Sequence, residues 1–182
     1  AVSFTGNVDN LALVTMGLET PAENLPKAKA SYTGIWGAGG LNTGSIADIA
    51  FPGTTTATGT AGTFTANADF QARQIGFSLL QPDQADWVDV NDPDRIVEAA
   101  RKGTIVGSGT ATLANGGQFV GTLTIKDAQA GQIQDYDVNY SDMNGSMTLI
   151  GGIYGPTGQE IAGTMKGTLG NSPAVGALFG IK

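Results

Sequence analysis

Apolar and polar residues alternate with a period of two along most of this chain, the pattern of strands that bury one face. The last third shows it best. Ile161, Gly163, Met165, Gly167 and Leu169 share one face, and Ala162, Thr164, Lys166 and Thr168 share the other. A run over 146–154 alternates in the same way. Gly155, Pro156, Thr157 and Gly158 lie between the two and supply the residues of a hairpin turn. A final run over 174–181 places Val175, Ala177, Phe179 and Ile181 on one side. The segments 104–113 and 118–126 form a second hairpin across Asn115-Gly116, a strong two-residue turn signal. Earlier, 63–70 aligns Phe64, Ala66, Ala68 and Phe70. The apolar phase then switches across Gln71, Ala72 and Arg73 to Ile75, Phe77 and Leu79 in 74–80, which predicts a third tight turn. Tyr32, Gly34 and Trp36 mark a first strand over 31–37.

Eight strands joined mostly by hairpins predict an all-β domain. Their faces mix Gly and Ala with large side chains, which suits the tight curvature of a closed eight-stranded antiparallel up-and-down barrel, with a sandwich as the competing architecture. The connections are uneven. Residues 37–44 and 52–62 are rich in Gly and Thr and read as exposed loops, with short strands at 45–51 and 136–140. In the acidic stretch 81–95, Asp92 before Pro93 has the form of a helix N-cap and first position. With Ile96, Val97, Ala99 and Ala100 behind them, they predict one short helix ending near Lys102-Gly103. Residues 1–29 are the least regular, a strand and a proline-bearing loop. They either pack on the barrel domain, 30–182, or form a handle to a partner.

Composition narrows the chemistry. The 182 residues contain no His and no Cys, 9 basic residues and 16 acidic ones, for a net charge of −7. Disulfides, thiolate catalysis, Ser-His-Asp triads and His-held metal or haem are therefore excluded. The basic residues are scattered, so no nucleic-acid surface is expected. No run reaches the roughly 18–20 apolar residues of a membrane helix. Haem without His ligation would have to draw on Tyr32, Tyr136, Tyr140, Tyr154, Met143 or Met147, and these read first as core or rim side chains. Asp89, Asn91, Asp92 and Asp94 could offer oxygen ligands to a cation. They do not make an EF-hand, because Asp94 and Ala100 stand where Gly and Glu are required. The carboxylates crowd one loop, which does not suit a glycosidase pair. No metal, cofactor or catalytic residue is expected. Trp87 beside Asp89, Asp92, Asp94 and Arg95 is the best candidate for ligand contact, since aromatic anchors are enriched at interfaces.

Several of these segments are similar to the barrel domain of transferrin-binding protein B. The run Gly152, Tyr154, Gly155, Pro156, Glu160 and Gly163 resembles that family's closing hairpin, with its Gly-aromatic-Gly-Pro turn followed by Glu, a small apolar residue and Gly. Tyr32 to Trp36 resembles its opening strand, Ala68 to Arg73 its strand ending in Asp-Phe, and 175–182 its last strand. The likeness covers roughly 30–182. It implies an eight-stranded barrel from a Gram-negative surface lipoprotein or secreted binding protein, with the quoted residues closing the barrel. It further implies a non-enzymatic role: capture of a host or environmental protein, or a haem or iron source, through loops. A lipid anchor upstream of Ala1 would fit. The alternative is a structural barrel module of a larger adhesin or uptake lipoprotein without its own ligand. The loops around 37–62 and 81–95 are the expected ligand surface.

Overall fold

The computed structural model describes residues 2–7, 10–15, 17–40, 59–81, 87–89, 92–98, 105–114, 116–127, 143–170 and 172–182. They form twelve strands: β1 Val2–Asn7, β2 Asn10–Thr15, β3 Lys29–Gly40, β4 Gly59–Asp69, β5 Gln74–Leu80, β6 Trp87–Asp89, β7 Asp92–Glu98, β8 Ile105–Leu113, β9 Gln118–Asp127, β10 Gly145–Tyr154, β11 Glu160–Leu169 and β12 Ser172–Ile181. Eight of them close an antiparallel barrel in the order β10-β11-β12-β3-β4-β5-β8-β9. Each barrel strand pairs with the next along the chain, and β12 returns to β3, as Leu178 opposite Trp36 shows. This is the up-and-down barrel, not the sandwich. Closure leaves the barrel strands no free edge.

The barrel interior is apolar and the outer wall is rich in hydroxyls. In β9, Phe119, Leu123 and Ile125 are buried, while Thr122, Thr124 and Lys126 are exposed. Phe77 packs between Phe64 and Phe119, with ring centroids 6.5 and 5.7 Å away. The outer wall also exposes large apolar side chains, with Ile150 opposite Val120, Phe179 opposite Ile35 and Leu80 opposite Val106. No helix among the described residues is long and apolar enough to cross a membrane.

In β12 the small residues Ala174, Gly176 and Gly180 point inward with Leu178, so the more apolar face turns outward. Val175 and Ala177 on that outer face are nevertheless buried, as is Ala162 on β11. Strand β2, which pairs with β1, lies against β11 and β12 there.

The predicted helix is replaced by strand. Asp92 to Glu98 is extended and pairs with β6, placing Val88 opposite Ile96 and Trp87 opposite Glu98. A capping dipeptide offers a helix about 1 kcal/mol. Pairing of a segment carrying the β-branched Ile96 and Val97 with β6 overrides it. The only helical turn among the described residues is a single 3-10 turn at Ala22–Asn24. Strands β3 and β4 also run further into the Gly- and Thr-rich stretches than alternation indicates, to Gly40 and from Gly59. The short strands expected at 45–51 and 136–140 lie outside the described residues.

Residues 17–28 strap one end of the barrel. Thr20, which is buried, donates its backbone N–H to Ile153 O (3.2 Å) and its hydroxyl to Gly155 O (2.7 Å). Gly155 returns its N–H to Leu18 O at 3.0 Å. Leu25 packs on the core, and Pro26 lies where a Cβ on Gly158 would fall (2.9 Å), at a φ of +70° that favours glycine. Beneath the strap the Tyr32 hydroxyl donates to Gly158 O at 2.9 Å.

Burial pushes the Tyr32 phenol up from 10.0 to about 12. The folded state therefore holds this proton more tightly than the unfolded chain. The contribution is complete below pH 10 and is lost as pH rises through 12. Urea midpoints at increasing pH should fall across that window. Tyr32→Phe should flatten the decline while costing about 1 kcal/mol at neutral pH through the lost hydrogen bond. An unchanged alkaline slope in the variant would assign the titration to another group.

Candidate functional site

The two ends of the barrel differ. At the strapped end the strands are joined by tight turns at 70–73, 114–117 and 155–159. The Asp69 carboxylate shapes the first of these by accepting the N–H groups of Ala72 (2.8 Å) and Gln71 (3.1 Å). These bonds and the Lys29 ammonium at 3.7 Å hold its carboxyl below the usual carboxylate range, although desolvation works against them. At the other end emerge the three long connections, 41–58, 81–104 and 128–142, with the short turn at 170–171. Both loop regions expected to meet a ligand are therefore rooted at one end, together with a third, 128–142.

The roots of these connections carry two buried polar side chains, Asp127 and Gln81. Asp127 ends β9 and accepts the Met143 N–H at 3.3 Å through Oδ2. Asn144 reciprocates, its Oδ1 accepting the Asp127 N–H at 3.0 Å, while its carbonyl receives the Gly170 N–H at 2.6 Å. On the neighbouring quadrant, Gln81 follows β5 and donates its N–H to Ile105 O at 3.0 Å. The Trp36 indole N–H reaches Leu80 O at 3.4 Å. Gln81 is 1% exposed, and its Oε1 has no hydrogen-bond partner among the described residues. A buried acceptor left in that state costs about 1–3 kcal/mol.

Alternation held the signal for both residues. Gln81 continues the inward series Ile75, Phe77, Leu79. Asp127 continues Phe119, Leu123, Ile125. A polar residue falling on an inward parity at a strand end is a candidate, and neither was singled out from the sequence.

The residues expected to contact a ligand lie on the β6–β7 hairpin within the second long connection. Asp89 is the register partner of Asp92, and register shifts flank Val88. Like charges directly opposite in a hairpin are destabilising. Asp94 and Arg95 follow on β7. Asn91, the fourth member of the possible cation-binding set, lies outside the described residues. Among those described, no group of three or more His, Cys, Asp or Glu is arranged to hold a metal. Of the oxygen and sulfur groups considered for haem, Tyr32 and Met147 are fully buried in the core, and Met143 and Tyr154 are also buried. Tyr136 and Tyr140 lie outside the described residues.

Of the residues expected to close the barrel, Tyr154 and Gly155 meet the strap. Glu19 bridges to Tyr154, which is itself buried, and Gly152 lies under the Tyr154 ring. Gly155 has a φ of +85°, and Pro156 is exposed in the turn. Glu160 pairs with Ile181, and Gly163 with Gly151.

The sequence matches no protein-family model and no curated protein. Solved structures do share its fold. The isotype 1 transferrin-binding protein B of serogroup B Neisseria meningitidis is 20% identical with a TM-score of 0.54, over 91% of this chain and 27% of that one. A transferrin-binding protein B variant from Actinobacillus pleuropneumoniae H49 is 18% identical with a TM-score of 0.50, over 89% and 65%. The N-lobe domain of lactoferrin-binding protein B from Moraxella bovis is 16% identical with a TM-score of 0.49, over 99% and 70%. The chain thus spans about a quarter of the length of the meningococcal protein. It has the fold of the transferrin-binding protein B barrel, at a sequence distance where the likeness carries the fold alone.

Proposed function

We propose that this barrel is a non-enzymatic binding protein of a bacterial surface, which captures a protein partner through the connections at its unstrapped end. The observation that carries this is the distribution of charge along the topology. The connections 41–58, 81–104 and 128–142 hold ten carboxylates and three basic residues, a net −7. That equals the charge of the whole chain, because the remaining six acidic and six basic residues cancel. A chain whose net charge falls entirely within the connections rooted at one end of its barrel is suited to steer and dock a partner with a basic surface. The absence of His and Cys supports a binding rather than a catalytic role. The solved structures of this fold carry the names of transferrin- and lactoferrin-binding proteins, which makes those two host proteins the first partners to test.

The immobilised barrel is tested against transferrin and lactoferrin at rising salt. Association with one of them is expected, weakening as ionic strength rises. Neutralising Asp89, Asp92 and Asp94 together to Asn should slow association about ten-fold, with a smaller change in dissociation. Trp87→Ala should weaken the complex without moving the melting temperature. Absence of binding to both proteins at low salt, or binding indifferent to the triple variant, would sink this reading.

A further inference from the structure

We infer that the cleft between the strap and the neighbouring barrel turns is a binding site for a small amphiphilic carboxylate, an apolar body carrying one negative charge. The site is independent of the capture reading above, since it lies at the opposite end of the barrel from the long connections. The cleft holds about 500 Å³, enough for a single-ring or short-chain compound. Leu25 of the strap, Phe70 of the 70–73 turn and Leu113 at the end of β8 line it. Leu113 is buried, and Leu25 and Phe70 pack half-buried against the core, so the floor is apolar and held by the barrel. The Gln71 side-chain amide ties the turn to the strap by donating to Lys27 O at 3.4 Å.

Charge sets the sign of the ligand. Lys27 and Arg73 line the cleft against one carboxylate, Glu23, which leaves its described lining with one net positive charge on a chain of net −7. A monoanion matches that charge. A cation is opposed by it, and a phosphate monoester, with close to two negative charges, overshoots it. Arg73 is also the one non-glycine residue among those described with a positive φ, +56°. Side chains disfavour that conformation, and glycine would adopt it without strain. The chain keeps arginine there and anchors it. The Arg73 carbonyl accepts the Leu113 N–H at 3.0 Å, and its Nε donates to Leu113 O at 3.1 Å. The guanidinium is thus an engaged group, and what it offers the cleft is a positive charge fixed beside an apolar floor. A ligand whose body covers Phe70 and Leu25 meets that charge with its carboxylate, and little ordering is left to do on binding.

The test follows amide chemical shifts of the intact 182-residue protein, with phenylbutyrate as probe and its neutral analogue phenylbutanamide and the short acid butyrate as controls. Phenylbutyrate should perturb the N–H signals of Leu25, Arg73 and Leu113 saturably, with each control binding at least about five-fold more weakly. Lys27→Gln should weaken phenylbutyrate about three-fold, and Glu23→Gln should strengthen it by about the same factor. A merely apolar crevice does not give these opposite signs. Arg73→Gly accepts the positive φ and removes the charge, so it should weaken phenylbutyrate about ten-fold while a cooperative thermal transition shows the protein still folded. If that variant does not fold, the exposed Lys27 and Glu23 carry the test. Equal binding of the acid and the amide, shifts confined to residues away from the cleft, or an Arg73→Gly variant that binds as the parent does would overturn the site. The last of these would leave Arg73 a staple between the turn and β8 and nothing more.

Discussion

Trp36→Ala should lower the stability of the barrel by about 3–5 kcal/mol, the cost of emptying a large aromatic site that cannot collapse. Trp36 is 1% exposed and lies on β3 towards the unstrapped end. Its register partners are Gly62 on β4 and Leu178 on β12. Gly62 cannot fill the vacated space, because a Cβ there would stand 2.0 Å from Leu80 O. The indole N–H bond to Leu80 O is lost as well. For a chain of this length the melting temperature should fall by on the order of 10 °C. Trp36→Phe, which keeps most of the volume, should lose less than half of that. Thermal unfolding followed by circular dichroism checks both. A shift of only a degree or two for the alanine variant would mean that Trp36 does not hold the core together.

The barrel was legible because its strands keep strict alternation over eight to ten residues, and Asn115-Gly116 and Gly155 to Gly158 mark turns whose chemistry leaves few choices. Local signals failed where two structures compete for one segment. Asp92 and Pro93 have the form of a helix start, yet the segment pairs with Trp87 to Asp89, and strand pairing is a non-local term that no capping motif reports. The same limit explains the strap. Thr20 reads as a loop residue before Pro21, and its burial comes from Ile153 and Gly155, 133 and 135 positions away.

The candidate site was half legible. Composition located the acidic hairpin, and topology then rooted it at the same end as 41–58 and 128–142. Gln81 and Asp127 were hidden in an apolar pattern that they only terminate. At a strand end an inward polar residue and an ordinary loop residue look alike until the register is known. Charge segregation likewise needs the strand order. The same ten connection carboxylates divided between connections at both ends would give the same composition without net charge rooted at one end.

Gly151→Ala tests why the inward face alternates small with large. Gly151 lies between Phe119 on β9 and Gly163 on β11. A Cβ there would stand 2.2 Å from Ala162 O, 2.6 Å from Phe119 Cζ and 2.7 Å from Gly163 Cα. Two of these neighbours are backbone held in the barrel ladder, and the third is a ring packed on Phe77. Strand β10 must move or the ring must turn, so the substitution should cost about 3 kcal/mol, the upper part of the overpacking range. Phe119→Leu in the same chain removes the ring contact but not the backbone one. The double variant should therefore be more stable than the sum of the singles by about 1 kcal/mol, without regaining the parent's stability. Urea unfolding of the four proteins measures the cycle. Strict additivity would show that the ring does not compete for the Cβ position. A near-neutral Gly151→Ala would show that the close approach of β10 and β11 is relaxed in solution, leaving the interior glycines without a packing role.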